Sequence, residues 1–166
     1  MPLQAQHENL HGIMQHIRKI ADSSTLDFYS ANTNSQMPLP FVDGGIAAGF
    51  PSPAQDYIDL KIYLNTELIN NPTSTFYAKV KGTSMQDAGI MDGDILVVDK
   101  SLDPKDGDTA VCFIDGEFTL KYIKFETDVI YLVPANPKFE PIKVTEENNF
   151  CIWGIVTYSI KNHRKN

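Results

Sequence analysis

Period-two alternation of apolar residues after Gly49, scarce helical spacing in that stretch and an Asp115-Gly116 turn signal predict a mainly β protein of twisted antiparallel strands. Ahead of it the residues predict an N-terminal arm with one amphipathic helix. Leu10, Ile13, Met14, Ile17, Ile20 and Ala21 recur at helical spacing, so Asn9 to about Ala21 reads as that helix, with an apolar face that needs a partner surface. From Asp22 to Gly45 the composition shifts to Ser, Asn, Thr, Pro and Gly. Pro38, Pro40, Gly44 and Gly45 act as breakers, and the stretch reads as an extended linker able to thread into a cleft. A short helix is expected around Thr66 to Asn70, stopped by Pro72. Strands are expected over Phe76 to Lys81, Ile95 to Val98, Thr109 to Ile114, Glu117 to Phe125, Val129 to Val133 and Phe150 to Ile160. Asp115-Gly116 joins two of these runs by a two-residue hairpin turn.

A chain of 166 residues with 42% hydrophobic content buries one core comfortably, giving one folded domain plus the arm. The net charge of -7 argues against general attraction to a nucleic-acid backbone, and one helix does not make a helix-turn-helix, so any link to DNA is expected through a protein. The basic residues Lys161, Arg164 and Lys165 at the C-terminus read as a solvated tail. Met1 to Leu10 lacks the apolar core of a secretory signal, and no run approaches the ~18 apolar residues that span a bilayer. Cys112 and Cys151 lie in apolar strand-like runs without disulfide-framework spacing, and read as free, buried thiols. A reducing, cytoplasmic setting follows as the expectation.

Two metal patterns carry little weight. His7-Glu8-Asn9-Leu10-His11 matches a zinc-peptidase motif but has no evident third ligand, and histidines at the start of an amphipathic helix explain it. Asp87, Asp92, Asp94 and Asp99 miss the EF-hand order and read as turn-forming aspartates. No metal or other cofactor is expected.

The chemistry points elsewhere. Gly82-Thr83-Ser84-Met85 places a serine in a Gly-bounded turn after a strand, and Lys121 follows thirty-seven residues later in the run Glu117 to Phe125. A serine hydroxyl is a weak nucleophile that needs a base within hydrogen-bond reach, and lysine serves when its surroundings keep it uncharged. Desolvation lowers a lysine from ~10.4 by about 3 to 5 units. Thr119, Lys121, Ile123 and Phe125 share one face of the strand, so the lysine's next two neighbours there are apolar. Taken alone, Lys121 reads as an ordinary solvated lysine on a strand, since charged side chains are mostly exposed.

Longer strings decide between these readings. Gly49-Phe50-Pro51-Ser52-Pro53-Ala54-Gln55-Asp56-Tyr57, Gly82-Thr83-Ser84-Met85, Asp92-Gly93-Asp94 and Asp115-Gly116-Glu117-Phe118-Thr119-Leu120-Lys121 closely resemble the LexA/UmuD family of self-cleaving serine peptidases, from about Ala47 to Tyr158. The resemblance implies Ser84 as nucleophile, Lys121 as general base, backbone N–H groups of Ser84 and Met85 for the oxyanion, and Ala48-Gly49 as the bond cut. A small residue before the cut suits a narrow pocket, and glycine after it permits close backbone approach. Residues 1–48 would then be the arm removed and 49–166 the peptidase domain. By the same resemblance a RecA filament on single-stranded DNA stimulates cutting during DNA damage, and the homodimeric product joins a UmuC-type polymerase for translesion synthesis. The family also contains transcriptional regulators switched by the same cut, and a non-enzymatic polymerase subunit is a further alternative. The chain departs from the familiar pattern in its Ala-Gly bond, where Cys-Gly is the best known, and in a longer arm.

Overall fold

The computed structural model of the protein describes residues 19–30, 38–42 and 59–164. They fall into two compact units, one within residues 33–70 and the other made by the rest. In chain order the strands are β1 (Lys19–Asp22), β2 (Leu26–Ser30), β3 (Pro38–Val42), β4 (Asp59–Tyr63), β5 (Thr75–Val80), β6 (Ile95–Asp99), β7 (Thr109–Ile114), β8 (Glu117–Glu126), β9 (Val129–Val133), β10 (Ile142–Val144) and β11 (Phe150–Ile160). One short helix, α1 (Leu64–Leu68), follows β4 directly.

The larger unit is a nine-stranded sheet in the order β1-β2-β5-β6-β11-β7-β8-β9-β10, with every neighbouring pair antiparallel. Alternation along β7 shows why the sheet is buried on both faces. Val111 joins a cluster with Leu26, Phe28, Met85, Leu96, Val98 and Leu120, whereas Ala110 and Cys112 join Ile123, Leu132 and Ile155 in a second cluster. The long β11 serves both β6 and β7 by shifting register twice, near Gly154 and near Thr157. A Cβ on Gly154 would stand 2.7 Å from Val98 Cγ1, so the glycine allows the two strands to approach at this bend.

The β7–β8 hairpin turns through Asp115 and Gly116, both with positive φ (48° and 91°), as an Asp-Gly two-residue turn requires. The Asp115 carboxylate accepts the Asn149 N–H at 2.9 Å and the Asn148 amide at 2.7 Å, tying the turn to the strand entering from the other side.

The expected strands after Gly49 are all present, with ends shifted by a residue at β5, β6 and β8. The short helix lies two residues earlier than expected, and β4 and the three-residue β10 are strands not expected from the sequence.

The N-terminal region differs more. Lys19–Ala21, expected as the end of a helix, belong to β1 and pair with β2, so cross-strand pairing prevails over the helical spacing; residues 9–18 of that helix lie outside the described residues. The stretch expected as an extended linker contains β2, paired with β5 from Leu26↔Val80 to Ser30↔Phe76. It also contains β3, which pairs with β4 as a separate two-stranded sheet in the smaller unit. Pro38 and Pro40 lie two apart in this ribbon, so their missing N–H groups fall on one side of β3, and a two-stranded ribbon has an open edge on which prolines are tolerated. Cys112 is buried as expected, but Cys151 is exposed, on the opposite face from its strand neighbours Ile152 and Phe150.

Candidate active site

The loop carrying Ser84 is made by stitching together two strings that lie apart in sequence. After β5 the chain turns at Gly82, whose φ of 93° favours glycine, and the Gly82 N–H donates to Asp92 Oδ1 at 2.7 Å. Val80 N–H donates to the Asp94 carbonyl and Gly93 N–H to the Val80 carbonyl, each at 2.9 Å. Met85 is 2% exposed and pins the loop into the first apolar cluster, while Ser84 beside it remains half-buried. A single 3₁₀ turn, Gln86–Ala88, follows and stops at Gly89.

Lys121 reaches the same place from the middle of β8, opposite Ala110 of β7. It is only 6% exposed, and its Nζ lies 3.2 Å from Ser84 Oγ. Two further contacts complete its surroundings: Thr119 Oγ1 at 2.7 Å and the Leu120 carbonyl oxygen at 3.0 Å. A neutral amine has two N–H groups and one lone pair, and here the two oxygens take the N–H groups, which leaves the lone pair for the Ser84 hydroxyl. Among the described residues no carboxylate pairs with Lys121. Burial therefore pushes its ammonium below the usual lysine range. A Cys112 thiolate would oppose this, but burial pushes the Cys112 thiol up to about 12, so it carries no charge near neutral pH.

On the other side of Ser84 the loop after β9 holds the nucleophile's backbone. Asn136 is 4% exposed and donates from Nδ2 to the Thr83 carbonyl at 2.9 Å, while its Oδ1 accepts the Lys138 N–H at 3.0 Å. Ala135 N–H donates to the Ser84 carbonyl at 2.9 Å, and Asp87 N–H donates to the Ala135 carbonyl at 2.8 Å. Both flanks of Ser84 are thus fastened to one short segment. Among the described residues no acceptor receives the backbone N–H of Ser84 or of Met85, so both are free to meet a developing negative charge.

Of the residues expected from sequence to form a site, Ser84, Met85 and Lys121 come together here, while Ala48 and Gly49 lie outside the described residues. His7, Glu8 and His11 lie outside them as well. Asp92, Asp94 and Asp99 accept hydrogen bonds from Gly82, Met91 and Ser101, as turn aspartates do, and Asp94 also pairs at 2.7 Å with Lys161, a residue expected as part of a solvated tail. The face carrying Lys121 is apolar at Ile123, which is fully buried, but Phe125 beyond it is exposed. Two positioning residues gave weaker signals. Thr119 shares the strand face of Lys121, a legible hint, whereas Asn136, between Pro134-Ala135 and Pro137, reads in sequence only as part of a turn.

Comparison with known proteins places these residues in context. A family model described as Peptidase S24-like matches residues 40–157. Protein ImpA of Escherichia coli is 40% identical over 124 residues, covering 71% of this chain and 80% of its own. Protein MucA of Escherichia coli is 37% identical over 137 residues, covering 82% and 93%. The LexA repressor of Albidiferax ferrireducens is 37% identical over 147 residues, covering 88% of this chain and 65% of its own.

Proposed function

Because the chain belongs to the Peptidase S24-like family of self-cleaving serine peptidases, we propose that Ser84 and Lys121 form a serine–lysine dyad that cuts the chain's own Ala48-Gly49 bond. The cut divides an N-terminal segment, residues 1–48, from a peptidase domain, residues 49–166. One observation carries this reading: a buried lysine with no carboxylate partner among the described residues sits 3.2 Å from a serine hydroxyl.

The reaction follows from the contacts. Neutral Lys121 takes the Ser84 proton while Oγ adds to the Ala48 carbonyl carbon, and the Ser84 and Met85 N–H groups stabilise the oxyanion. The C–N bond to Gly49 then breaks, and the Lys121 ammonium returns its proton to the leaving amine. Water, deprotonated by Lys121, attacks the acyl-enzyme and releases Ser84. Thr119 and the Leu120 carbonyl hold the amine in place through both steps.

Its biological setting is the SOS response. A RecA filament on single-stranded DNA stimulates the cut by favouring the arm conformation that presents the bond, which is a population shift rather than new chemistry. The product acts in the cytoplasm as a homodimer and as the accessory subunit of a UmuC-type translesion polymerase. The similarity to a LexA repressor favours a second reading, a transcriptional regulator inactivated by the same cut.

Two experiments test these readings. Incubating the purified chain with RecA, nucleotide and single-stranded DNA yields a fragment beginning at Gly49, read by mass spectrometry; another terminus overturns the assignment of the bond. Recovery of a polymerase from damaged cells supports the subunit, and recovery of operator DNA supports the regulator.

A further inference from the structure

β2 lies on the N-terminal side of the proposed cut, yet it is an inner strand of the catalytic sheet, between β1 and β5. Leu26 and Phe28 are 0% and 1% exposed and lie in the same apolar cluster as Met85. The Phe28 ring packs 4.8 Å from Phe118 and 4.7 Å from Trp153. Polar contacts fix the strand at its entry. Ser24 Oγ donates to Glu117 Oε2 at 2.9 Å, Thr25 Oγ1 donates to the Phe118 carbonyl, and Lys81 N–H donates to the Thr25 carbonyl at 2.8 Å. Lys81 Nζ meets Asp27 at 2.7 Å.

The covalent path from β2 to its partner β5 runs only through residues 31–74. A cut anywhere between positions 31 and 70, Ala48-Gly49 included, turns β2 into part of a different chain. The family model begins at residue 40 and leaves β2 outside it.

We propose that the cut does not release the N-terminal segment: residues 23–30 stay seated on β5 as a strand of a second chain, and the mature product is a two-chain complex. The β5 edge, with the hollow filled by Leu26 and Phe28, is then an interaction surface for an extended peptide with large apolar residues two apart. Before the cut the tether holds the strand at high effective concentration; after it, retention depends on protein concentration. Dissociation would uncover the β5 edge and two deep apolar positions, a state open to pairing with another strand. This inference rests on the proposed self-cleavage for its occasion and on β2 for its geometry.

The experiment separates the two. One sample is the full chain allowed to cleave itself. The other is a full-length Ser84→Ala chain with a site for a sequence-specific protease inserted between Ser30 and Pro38, cut by that protease. Denaturing mass spectrometry gives the extent of cutting and native mass spectrometry at micromolar protein gives retention. Both fragments in one particle is the expected result, with amide exchange of residues 75–80 as slow as in the uncut chain. Complete cutting with the small fragment lost from the particle overturns the proposal. If the first sample stays whole, the proposed function fails, and the second sample still decides retention. Phe28→Ala in the inserted-site chain weakens retention at least about a hundredfold. Unchanged retention in that variant, or fast exchange of residues 75–80 in the cut wild-type complex, shows that the fragment is held elsewhere and overturns the proposal.

Discussion

β8 and β2 are strands of one sheet, β2 burying alternate side chains and β8 the consecutive residues Thr119 to Lys121, but they are held in opposite ways. β8 lies between its immediate neighbours in the chain, β7 through a two-residue turn and β9 after two residues more. β2 pairs with β5 across the whole smaller unit, Phe28 against Ala78. Closing a short loop costs little entropy, and a long one costs more. The lysine therefore sits where the chain keeps its order regardless of what happens to the segment between β2 and β5, whereas β2 depends on that segment for its covalent hold. A self-cutting protein gains from this division, because the site must survive the reaction and the tether must not.

The largest effect tests the locally held half. Ser84→Ala and Lys121→Ala each lower self-cleavage by at least about a thousandfold, because the two groups act as one unit and either loss removes the other's contribution. Circular dichroism and thermal unfolding confirm that the variants fold, and normal fragment yield from a folded variant excludes the dyad. Next comes the far-held half. In the Ser84→Ala background, which keeps the chain whole, Phe28→Ala costs about 3 to 5 kcal/mol of stability, measured by urea unfolding. Phe125→Ala on the exposed end of β8 costs roughly 0.5 kcal/mol or less. Equal losses at the two positions would mean that β2 is not an integral strand, and the contrast would collapse.

A pH series sharpens the comparison from the side of the lysine. The reactive form is neutral Lys121, so spontaneous cleavage rises with pH by about tenfold per unit and levels off at the lysine's own value, below the usual lysine range. The stability consequence has a definite sign. Because the folded pKa lies below the unfolded one, the unfolded chain binds more protons in the window between them, and stability rises with pH through that window. Below the window both states are protonated and the folded state bears the penalty of a buried ammonium. Lys121→Met should therefore be more stable than the parent at neutral pH and should lose this rise. A cleavage rate that stays flat or falls from neutral to alkaline pH, on protein shown to remain folded, counts against lysine as the base.

The same division explains what was legible in the sequence. The Asp115-Gly116 turn, the alternation of β7 and β8 and the Ser84 loop are written in adjacent residues, so local chemistry reveals them. β2 offers only two large apolar positions, Leu26 and Phe28, between Ser23-Ser24-Thr25 and the polar run after Ser30, and its burial is supplied by β5 and Trp153 from far along the chain. β1 shows the converse: Ile17 and Ile20 fit a helical stripe, yet Lys19–Asp22 pair as a strand because β2 is there to receive them. In the site, Ser84 and Lys121 were found through a family resemblance, since one serine and one lysine thirty-seven residues apart carry no signal by spacing alone. Asn136 is not legible, because an asparagine between Pro134-Ala135 and Pro137 looks the same whether or not its amide is buried against another loop.

Asn136 supplies the smallest effect and the finest test of how the locally held half is assembled. Its amide binds the carbonyl just before Ser84, and the neighbouring Ala135 binds the carbonyl of Ser84 itself, so the loop after β9 sets where the hydroxyl stands relative to Lys121. Asn136→Ala leaves the Thr83 carbonyl without that donor and lets the loop shift by a fraction of an ångström, which should slow cleavage about tenfold. The lysine's neighbours Thr119, Leu120 and Cys112 are untouched, so the rate should still climb with pH and level off at the same place, only at a lower plateau. A displaced midpoint would assign Asn136 to the lysine's environment instead of the serine's position, and an unchanged plateau would show that Ala135 alone fastens the loop.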